Sequence, residues 1–574
     1  MKRLLLLVGL LTLPSFAHAQ CNGVFPNNTV CGNVTGSGNL PRPTAPSAFL
    51  GAAGGTNGQI QYNNGGALGG FTMSDDVTVN TSTGVATIGA GKVESTMLAA
   101  NAIPLFPSRA AAAALDLTAY TAVRTLGYAT PGDSGGATFL KVGAVPFKDT
   151  YITAGTVAGG SGYGVNQTYN GVSLGAGSGL GCMGRVTVAG GAVTAVDITG
   201  NYCAGYAVGN ALIPNAANMA GTGSGATFTV TTISSPKGSF VDSAANNWQI
   251  VTDSEAFPNV RQYGAKLDWN GVDATATNDI LAFRSAIANA IVPFSSASPI
   301  IFGTTVIVPK GAAYLCDATS PFTTLLVPSG VILKGAGVYG GTTLKQCTAE
   351  SSAAYFITLC DPNAASGQFG CRIEDMGLQM NGSSNNTIAA VYSNSGQQFP
   401  LIDKVYIQPG LRGCVKYEIG TGGASNAIFQ NFDCEQSDAS TNIAFSGNSS
   451  GTQFVIQNAV FGCAPGICGA GVYAINAVAG NFIVQNVHVE NHQSAMNVTT
   501  TGAQMLSKLS NLTLVSGCVD GIRLDVTNPN NTVLFENIES SCSNSTILNG
   551  HAGGANLTGH IMKQITCNPG SPCN

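Results

Sequence analysis

The sequence predicts an all-β protein built around a right-handed parallel β-helix, and three observations predict it. The composition is turn-rich and weakly charged, with 75 glycines in 574 residues and 9% charged residues, where a soluble protein typically has ~25%. The Ala-, Glu-, Lys- and Leu-rich runs of a helical protein are missing. A short phrase also recurs seven times at intervals of 25 to 29 residues, which is the spacing of a solenoid.

The recurring phrase reads apolar, polar, Asn, apolar, any residue, apolar, as in VQNVHV from Val484. Its first position gives one apolar column: Ile373, Ile402, Phe429, Ile456, Val484, Leu509 and Phe535. Its fourth position gives a second: Met376, Val405, Phe432, Ala459, Val487, Leu512 and Ile538. Short β-branched and aromatic segments without a 3.6-residue period favour a parallel β-helix over a leucine-rich repeat. A slip by one residue would turn both columns outward, so the register is well specified.

The third position of the phrase forms a polar column: Asp375, Lys404, Asn431, Asn458, Asn486, Asn511 and Asn537. Asparagine tolerates the left-handed backbone conformation, and its side-chain amide can bond the next asparagine of a stack. We therefore expect this column to mark a bend between two strands of each coil.

A solenoid needs its end covered. Residues Asn278–Ala290 place Ile280, Phe283 and Ile287 on one face at helical spacing. This predicts an N-terminal capping helix over the first coil, with Thr277 or Asn278 as its N-cap.

The chain starts with the features of an export signal. Lys2 and Arg3 precede an apolar run, and Ala17-His18-Ala19 forms an A-x-A cleavage site before Gln20. No later segment has 18 uninterrupted apolar residues. We therefore expect a signal peptide over residues 1–19 and a secreted or cell-surface protein without a transmembrane segment.

The rest of the chain divides into regions that differ in amino-acid composition. We expect a linker at 20–50, a Gly-rich segment at 51–110, a β-rich neck at 111–258 and the β-helix at 259–574. An inserted hairpin module at about 151–233 interrupts the neck, whose sequence is expected to continue at Phe240. Inside the module, Gly190-Gly191 between two β segments is a hairpin signal.

All 16 cysteines follow the leader, and many lie close together in sequence. The close pairs are Cys21/Cys31, Cys182/Cys203, Cys360/Cys371, Cys463/Cys468, Cys518/Cys542 and Cys567/Cys573. Because Cys-x2-Cys spacing is absent and no histidine accompanies the pairs, they favour disulfides over a metal site. No metal and no cofactor is predicted.

The opening of the β-helix region carries a family resemblance. The stretch VRQYGAKLDWNGVDATATNDILAFRSAI, with its Tyr263-Gly264-Ala265 phrase, Asp/Asn/Thr-rich loop and helix, resembles the start of pectate-lyase-like β-helix proteins. The resemblance runs from Val260 to Asn381 by motif and to about Gly550 by periodicity. It implies the β-helix fold; the superfamily itself includes lyases, hydrolases, tail-spike depolymerases and proteins without known catalysis.

The N-terminal regions resemble parts of phage proteins. The segment GGTNGQIQYNNGGALGGF is similar to glycine-rich attachment repeats of tail fibres and tail spikes, and Thr121–Val142 is similar to the segment before a tail-spike β-helix. Together with the core-poor N-terminal stretch, this resemblance implies a homotrimer.

Carboxylates concentrate on two coils at outward positions of the repeat. Asp433 and Glu435 lie on one coil, and His488 and Glu490 lie two coils later. Coils stack at ~4.8 Å, so the same column two coils apart spans roughly 9–10 Å. That is near the upper end of the ~6.5–9.5 Å of inverting glycosidases and too wide for a retaining pair. We predict these four residues as catalytic, with a histidine sharing protons with Glu490.

Five further residues are predicted to bind substrate: Gln379, Tyr406, Gln408, His492 and Arg523. The structural alternative is that a β-helix face carries scattered charges, and that Asp520 and Arg523 form a surface ion pair. An elimination reaction would need a cation or metal beside the sugar, and no column of three aspartates offers a Ca²⁺ cage.

Lys+Arg 23 against Asp+Glu 28 gives a net charge of −5, which excludes a basic nucleic-acid binder. The sequence therefore predicts an exported protein that binds a polysaccharide and degrades it, by hydrolysis rather than elimination. The alternative is a non-catalytic glycan-binding adhesin or structural spike.

Overall fold

The chain divides into two units, Met1–Ala102 and Ile103–Asn574. The computed structural model describes residues 30–32, 42–44, 60–64, 67–71, 77–79 and 85–88 of the first unit. In the second it describes residues 103–567 except 144–145, 180–181, 199–201, 220, 222, 252–256, 296–297, 318–322, 349–354, 361–367, 381–388, 395–396, 399, 409–412, 419–425, 437–442, 466–467, 501–505, 516–517, 527–531, 544 and 550–560. The predicted signal peptide lies outside the described residues.

In the first unit, the described strands form three antiparallel pairs. These are β1 (Val30–Gly32) with β2 (Arg42–Thr44), β3 (Ile60–Asn64) with β4 (Ala67–Phe71), and β5 (Val77–Val79) with β6 (Ala86–Ile88).

The second unit begins with a five-stranded sheet in the order β16-β17-β9-β8-β7. Its strands are β7 (Leu105–Phe106), β8 (Ala122–Thr125), β9 (Thr138–Val142), β16 (Phe240–Val241) and β17 (Asn247–Val251), and a short helix spans Arg109–Ala113. Strand β17 pairs antiparallel with β9 although some hundred residues separate them. The sequence from Phe240 onward therefore does continue the sheet interrupted after β9, as its pattern predicts.

The intervening residues form a second, six-stranded sheet in the order β10-β15-β14-β11-β12-β13. Its strands are β10 (Ile152–Ser161), β11 (Thr168–Gly175), β12 (Met183–Ala189), β13 (Ala192–Asp197), β14 (Ala211–Pro214) and β15 (Ser224–Ile233), with a 3-10 helix at Ala216–Asn218. Gly190 and Gly191 join β12 to β13 with φ of 61° and 75°. Both values are positive, as a type I′ hairpin turn requires.

The capping helix spans Ile280–Ala290 and packs against the first strands of the solenoid. Ile280, Phe283 and Ile287 are buried, as their spacing predicts. Asn278 Oδ1 accepts from the backbone N–H of Ile280 at 3.1 Å, as the predicted N-cap side chain would, although the helix is bounded by Asp279, whose side chain makes no cap hydrogen bond. The Asp279 carboxylate instead accepts from the backbone N–H groups of Lys266 and Leu267, at 2.8 and 2.9 Å.

Two 3-10 helices, Val260–Tyr263 and Asp273–Thr275, precede the capping helix, and the pair β18 (Ile291–Ser295) and β19 (Ser298–Gly303) follows it. Within the described residues, no helix combines the length and the apolar character needed to span a membrane.

The remaining strands build a parallel β-helix. Nineteen of them join one sheet: β20 (Thr305–Ile307), β21 (Gly311–Leu315), β22 (Thr323–Val327), β23 (Ile332–Lys334), β24 (Thr342–Gln346), β25 (Tyr355–Leu359), β27 (Arg372–Gln379), β28 (Ala389–Asn394), β30 (Leu401–Gln408), β31 (Gly413–Glu418), β32 (Asn426–Gln436), β33 (Phe445–Cys463), β34 (Cys468–Glu490), β35 (His492–Thr500), β36 (Leu506–Val515), β37 (Asp520–Val526), β38 (Thr532–Ser540), β39 (Ser545–Asn549) and β40 (Ile561–Cys567). Two short strands, β26 (Gln368–Phe369) and β29 (Gln397–Gln398), pair separately. The predicted fold class is confirmed; its right-handedness stays a prediction.

The register of the coils is the one that the repeat predicts. Ile373 pairs with Ile402, and the pairing continues through every member of the first apolar column to Phe535. All members of this column are fully buried, and those of the second are at most 2% exposed. The two columns form a continuous core along the helix, where each fully buried aliphatic or aromatic side chain contributes about 1.5–3 kcal/mol.

The polar column lies at a left-handed corner. All seven of its residues have φ between 52° and 56°. The five asparagines also form a ladder in which each Nδ2 donates to the side-chain oxygen of the preceding coil, at 2.7 to 2.9 Å. The ladder ends on Asp403, because Lys404 at the corner of that coil has no acceptor.

Disulfides close several coils. Within the described residues the bonds are Cys182–Cys203, Cys316–Cys347, Cys360–Cys371, Cys414–Cys434, Cys463–Cys468 and Cys518–Cys542. Four of them are predicted from sequence proximity. The predicted pairs Cys21/Cys31 and Cys567/Cys573 each include a residue outside the described ones.

The corner ladder predicts a stability difference between two substitutions of Asn486. Alanine loses both amide hydrogen bonds and must adopt a left-handed φ. We therefore expect Asn486→Ala to lower the free energy of unfolding by about 2–3 kcal/mol. Glycine loses the same hydrogen bonds without the backbone penalty and should cost about 1 kcal/mol. Urea unfolding followed by circular dichroism measures both. The outward-facing Thr513→Ala on the next coil is the control, and equal stability of all three variants would contradict the role of the corner.

Candidate functional site

One face of the β-helix carries seven of the nine predicted functional residues. After each left-handed corner, the strand presents two outward side chains, and we call the surface that they form the groove face. Its pairs, coil by coil, are Gly377 and Gln379, Tyr406 and Gln408, Asp433 and Glu435, Val460 and Gly462, His488 and Glu490, Thr513 and Val515, and Glu539 and Ser541. Side chains in one column are therefore neighbours at ~4.8 Å per coil although 25 to 29 residues separate them.

A pocket of about 190 Å³ opens at one end of this face. Its lining consists of Val338, Tyr339, Gly340, Thr343, Gly377, Leu378, Gln379, Tyr406 and Gln408. The turn between β23 and β24 forms one wall, and the positive φ of Gly337 and Gly340, 120° and 68°, lets this turn bend over the face. Gly377 carries no side chain, which leaves room beneath the turn.

Tyr339 projects from that turn across two coils. Its side chain is 81% exposed, and its ring centre lies 5.8 Å from that of Tyr406. Its hydroxyl lies beside the carboxyl of Asp433, and hydrogen bonding between the two groups is among the causes that raise the pKa of Tyr339 and oppose the rise in the pKa of Asp433. Slight desolvation of the hydroxyl and the charges of Asp433 and Glu435 raise the pKa of Tyr339 above its ordinary value, so the phenol stays protonated.

Asp433 and Glu435 form a pair of interacting carboxyl groups beside the pocket. Burial raises the pKa of Asp433, against the opposing effect of hydrogen bonds from Glu435 and Tyr339. Burial, the charge of Asp433 and the hydrogen bond between the two carboxyls raise the pKa of Glu435 to about 7, and the charge of Glu490 adds to this. Glu435 therefore keeps its proton to a higher pH than an ordinary carboxyl group does, and it is the donor within the pair. Asp433 Oδ1 is buried without a hydrogen-bond partner among the described residues.

Gly462 decides where the carboxyl of Glu435 lies. A Cβ atom built on Gly462 would meet Glu435 Oε2 at 2.4 Å and Oε1 at 2.6 Å. The carboxyl thus occupies the space that a side chain at position 462 would fill. The carboxyl of Glu435 therefore lies over the next coil, on the side of Glu490, which is in register with Gly462.

His488 and Glu490 lie on the far side of this gap. His488 Nε2 is 3.6 Å from Glu490 Oε2, and both side chains are accessible, at 37% and 47%. Because Glu435 leans over Gly462, its carboxyl lies about one coil, ~4.8 Å, from the backbone of Glu490. The separation of the Glu435 and Glu490 carboxyl groups, and with it the inverting mechanism, stays a prediction.

Two predicted substrate-binding residues lie elsewhere. His492 is fully buried, so its side chain cannot reach a ligand on the surface. Arg523 is exposed but belongs to β37, in register with Asn497 and Leu548 in a different stack of strands from the groove face. Neither residue lies on the groove face with the other seven predicted site residues.

The sequence prediction missed Tyr339 and Thr343, which line the pocket. Both precede the first copy of the recurring phrase, so the repeat could not place them. One signal was available: the glycine-rich stretch GAGVYGG contains a tyrosine. A glycine-rich stretch is typical of a surface loop, and an aromatic residue in such a loop is a candidate for ligand binding. Within the described residues, no cluster of three His, Cys, Asp or Glu side chains is arranged to hold a metal ion.

No protein-family model matches the sequence, and a search of curated proteins finds no match either. Solved structures similar to this one include the A-module of the mannuronan C-5 epimerase AlgE4 of Azotobacter vinelandii. It is 15% identical with a TM-score of 0.35, and the match covers 54% of this chain and 88% of that one.

Two phage tailspike proteins are similar at the same level. The enzymatically active domain of tailspike protein 4 of bacteriophage CBA120 is 11% identical with a TM-score of 0.35, covering 88% of this chain and 59% of that one. Tailspike protein gp49 of Acinetobacter baumannii bacteriophage Fri1, described as a capsular polysaccharide depolymerase, is 11% identical with a TM-score of 0.35, covering 79% and 76%. At these scores the fold rests on the strand pairings of the chain itself, and no site residue is transferred.

The raised pKa of Glu435 predicts a pH-dependent effect of Glu435→Gln on stability. A carboxyl with a higher pKa in the folded state binds its proton more tightly there, so the folded protein loses stability as pH rises from about 4.5 to about 7. Glutamine keeps a hydrogen-bond donor and removes this loss. We expect the melting temperature of the variant, relative to the unsubstituted protein, to rise between about pH 5 and about pH 8.

The matched control is Glu539→Gln, since Glu539 is an exposed residue of the same column as Asp433. Its melting temperature should follow that of the unsubstituted protein at every pH. A difference for Glu435→Gln that does not change with pH would contradict the carboxyl pair.

Proposed function

We propose that this chain is an exported protein that binds a polysaccharide along the groove face and hydrolyses its glycosidic bonds. The observation that carries the proposal is the carboxyl pair of Asp433 and Glu435 at the edge of a pocket lined by aromatic and amide side chains. A carboxyl that keeps its proton near neutral pH is the group that a glycosidase uses as its general acid.

Binding is supported by the side chains of the pocket. The rings of Tyr339 and Tyr406 offer flat apolar surfaces with polar tips, which suit the C–H faces and hydroxyls of a sugar. Gln379 and Gln408 each offer an acceptor and two donors at an interval of one coil. The coils thus repeat a set of hydroxyl-binding groups along the helix axis, as an extended glycan requires.

Each reacting group has a place on the face. Glu435 donates its proton to the oxygen of the leaving sugar as the glycosidic bond breaks. Glu490, beside His488, accepts a proton from the water that adds to the sugar carbon. Asp433 keeps the proton on Glu435 through its charge and is itself held by the Tyr339 hydroxyl. Water supplies both the new hydroxyl and the proton that restores the acid.

Hydrolysis is favoured over elimination by the charges nearby. A lyase abstracts the proton beside a carboxylate and needs a cation to neutralise that carboxylate. Among the described residues of the groove face, the outward pairs from Gly377 to Ser541 include no lysine or arginine.

The disulfides support export, because they form in an oxidising compartment. The homotrimer stays a prediction.

The experiment is to incubate the purified protein with a panel of polysaccharides, reading new reducing ends and the absorbance of unsaturated products. We expect reducing ends without unsaturated products. Glu435→Gln should lose activity by about 100-fold or more, since a general acid contributes 10²–10⁴-fold. Glu539→Gln should retain it.

Gly462→Ala is a second test variant, because the added methyl group displaces the carboxyl of Glu435 without substituting any acidic residue. We expect a loss of activity nearly as large as for Glu435→Gln. Full activity of either variant would overturn the assignment of the acid. Binding to a polysaccharide without cleavage of any would favour the non-catalytic adhesin.

A further inference from the structure

The charges around the groove are unevenly distributed. Its outward positions carry four carboxyl groups: Asp433, Glu435, Glu490 and Glu539. The only basic group at the described outward positions from Gly377 to Ser541 is the imidazole of His488, which already faces Glu490. The face is therefore negative along the coils where a glycan would lie.

Two lysines beside this face, Lys345 and Lys404, do not compensate for that charge. Lys345, in register with Gln379 on the preceding coil, is only 6% exposed and donates to the carbonyl of Met380 at 3.2 Å. Lys404 lies at the corner, where its ammonium is 3.8 Å from the carboxylate of Asp375. Neither ammonium faces the pocket.

The pocket itself is polar without being charged. Its hydrogen-bonding groups are the hydroxyls of Tyr339, Tyr406 and Thr343 and the amides of Gln379 and Gln408. Such groups match sugar hydroxyls, whereas a carboxylate or sulfate is recognised through arginine or lysine.

We propose that the glycan bound in this groove carries no negative charge: it is a neutral polysaccharide, and not a polyuronate or a sulfated polymer. The inference rests on the proposed function, because it takes the groove face as the glycan-binding surface. A polyanion laid along this face would bring its charges next to the carboxylates of Asp433 and Glu490 with no cation between them, and like charges that face each other oppose binding.

The test is affinity electrophoresis of the full chain in native gels that contain one polymer each. Neutral gels contain dextran, starch, galactomannan or mixed-linkage β-glucan, and anionic gels contain alginate, polygalacturonate or chondroitin sulfate. Carboxyl-reduced polygalacturonate serves as a neutral form of the same backbone. We expect retardation in at least one neutral gel and in none of the anionic gels at low salt.

A charge added to the groove provides a second measurement. Thr513→Lys places an ammonium next to His488 in the same column. The variant should be retarded by the anionic polymers at low salt, where the unsubstituted protein is not, and this retardation should be lost at high salt. Ser446→Lys, in register with Lys416 on another stack, is the control and should leave retardation unchanged.

Retardation of the unsubstituted protein by anionic but not by neutral gels would overturn the inference, and so would the absence of retardation in every gel. Retardation by a neutral polymer that is never cleaved would count against the hydrolase and would support this inference. Cleavage of a polyuronate with release of reducing ends would support the hydrolase and would overturn the inference of a neutral glycan.

Discussion

The left-handed corner and its asparagine ladder are the constraint on which the rest of the structure depends. Each coil turns at one residue with φ near 53°, a conformation that asparagine tolerates and most residues avoid. The hydrogen bonds between successive asparagines then fix which coil residue lies above which. With the corner fixed, the alternation of the strand decides which side chains enter the core and which reach the groove face.

This register makes neighbours of residues that are far apart in sequence. Tyr406, Asp433 and Val460 occupy one column although nearly thirty residues separate each from the next. The close approach of Asp433 and Glu435 on one coil, with a tyrosine hydroxyl on one side and a glycine on the other, then sets the proton that they share. The carboxyl pair is thus local to one strand, and backbone stacking supplies its surroundings on the neighbouring coils.

Much of this could be predicted from the sequence, because a period of 25 to 29 residues specifies both the fold and the outward columns. Seven of the nine predicted site residues lie on the groove face for that reason. His492 could not be placed, because Asn491 before it turns the chain with φ of 59°, so the alternation does not extend past Glu490. Arg523 belongs to a second strand of its coil, for which the phrase gives no register. Tyr339 reaches the site through a turn that the repeat does not cover, and the lean of Glu435 over Gly462 depends on side-chain packing.

The central claim is that Glu435, beside Asp433 on one strand and enclosed by the neighbouring coils, keeps its proton to a higher pH than an ordinary carboxyl group does. Infrared spectroscopy detects the C=O stretch of a protonated carboxyl directly, and difference spectra between variants assign it. At about pH 6, below the raised pKa of Glu435 and above the ordinary values of carboxyl groups, the unsubstituted protein and Glu539→Gln should show a protonated-carboxyl band that Glu435→Gln lacks. Identical spectra for all three proteins in this region would contradict the account.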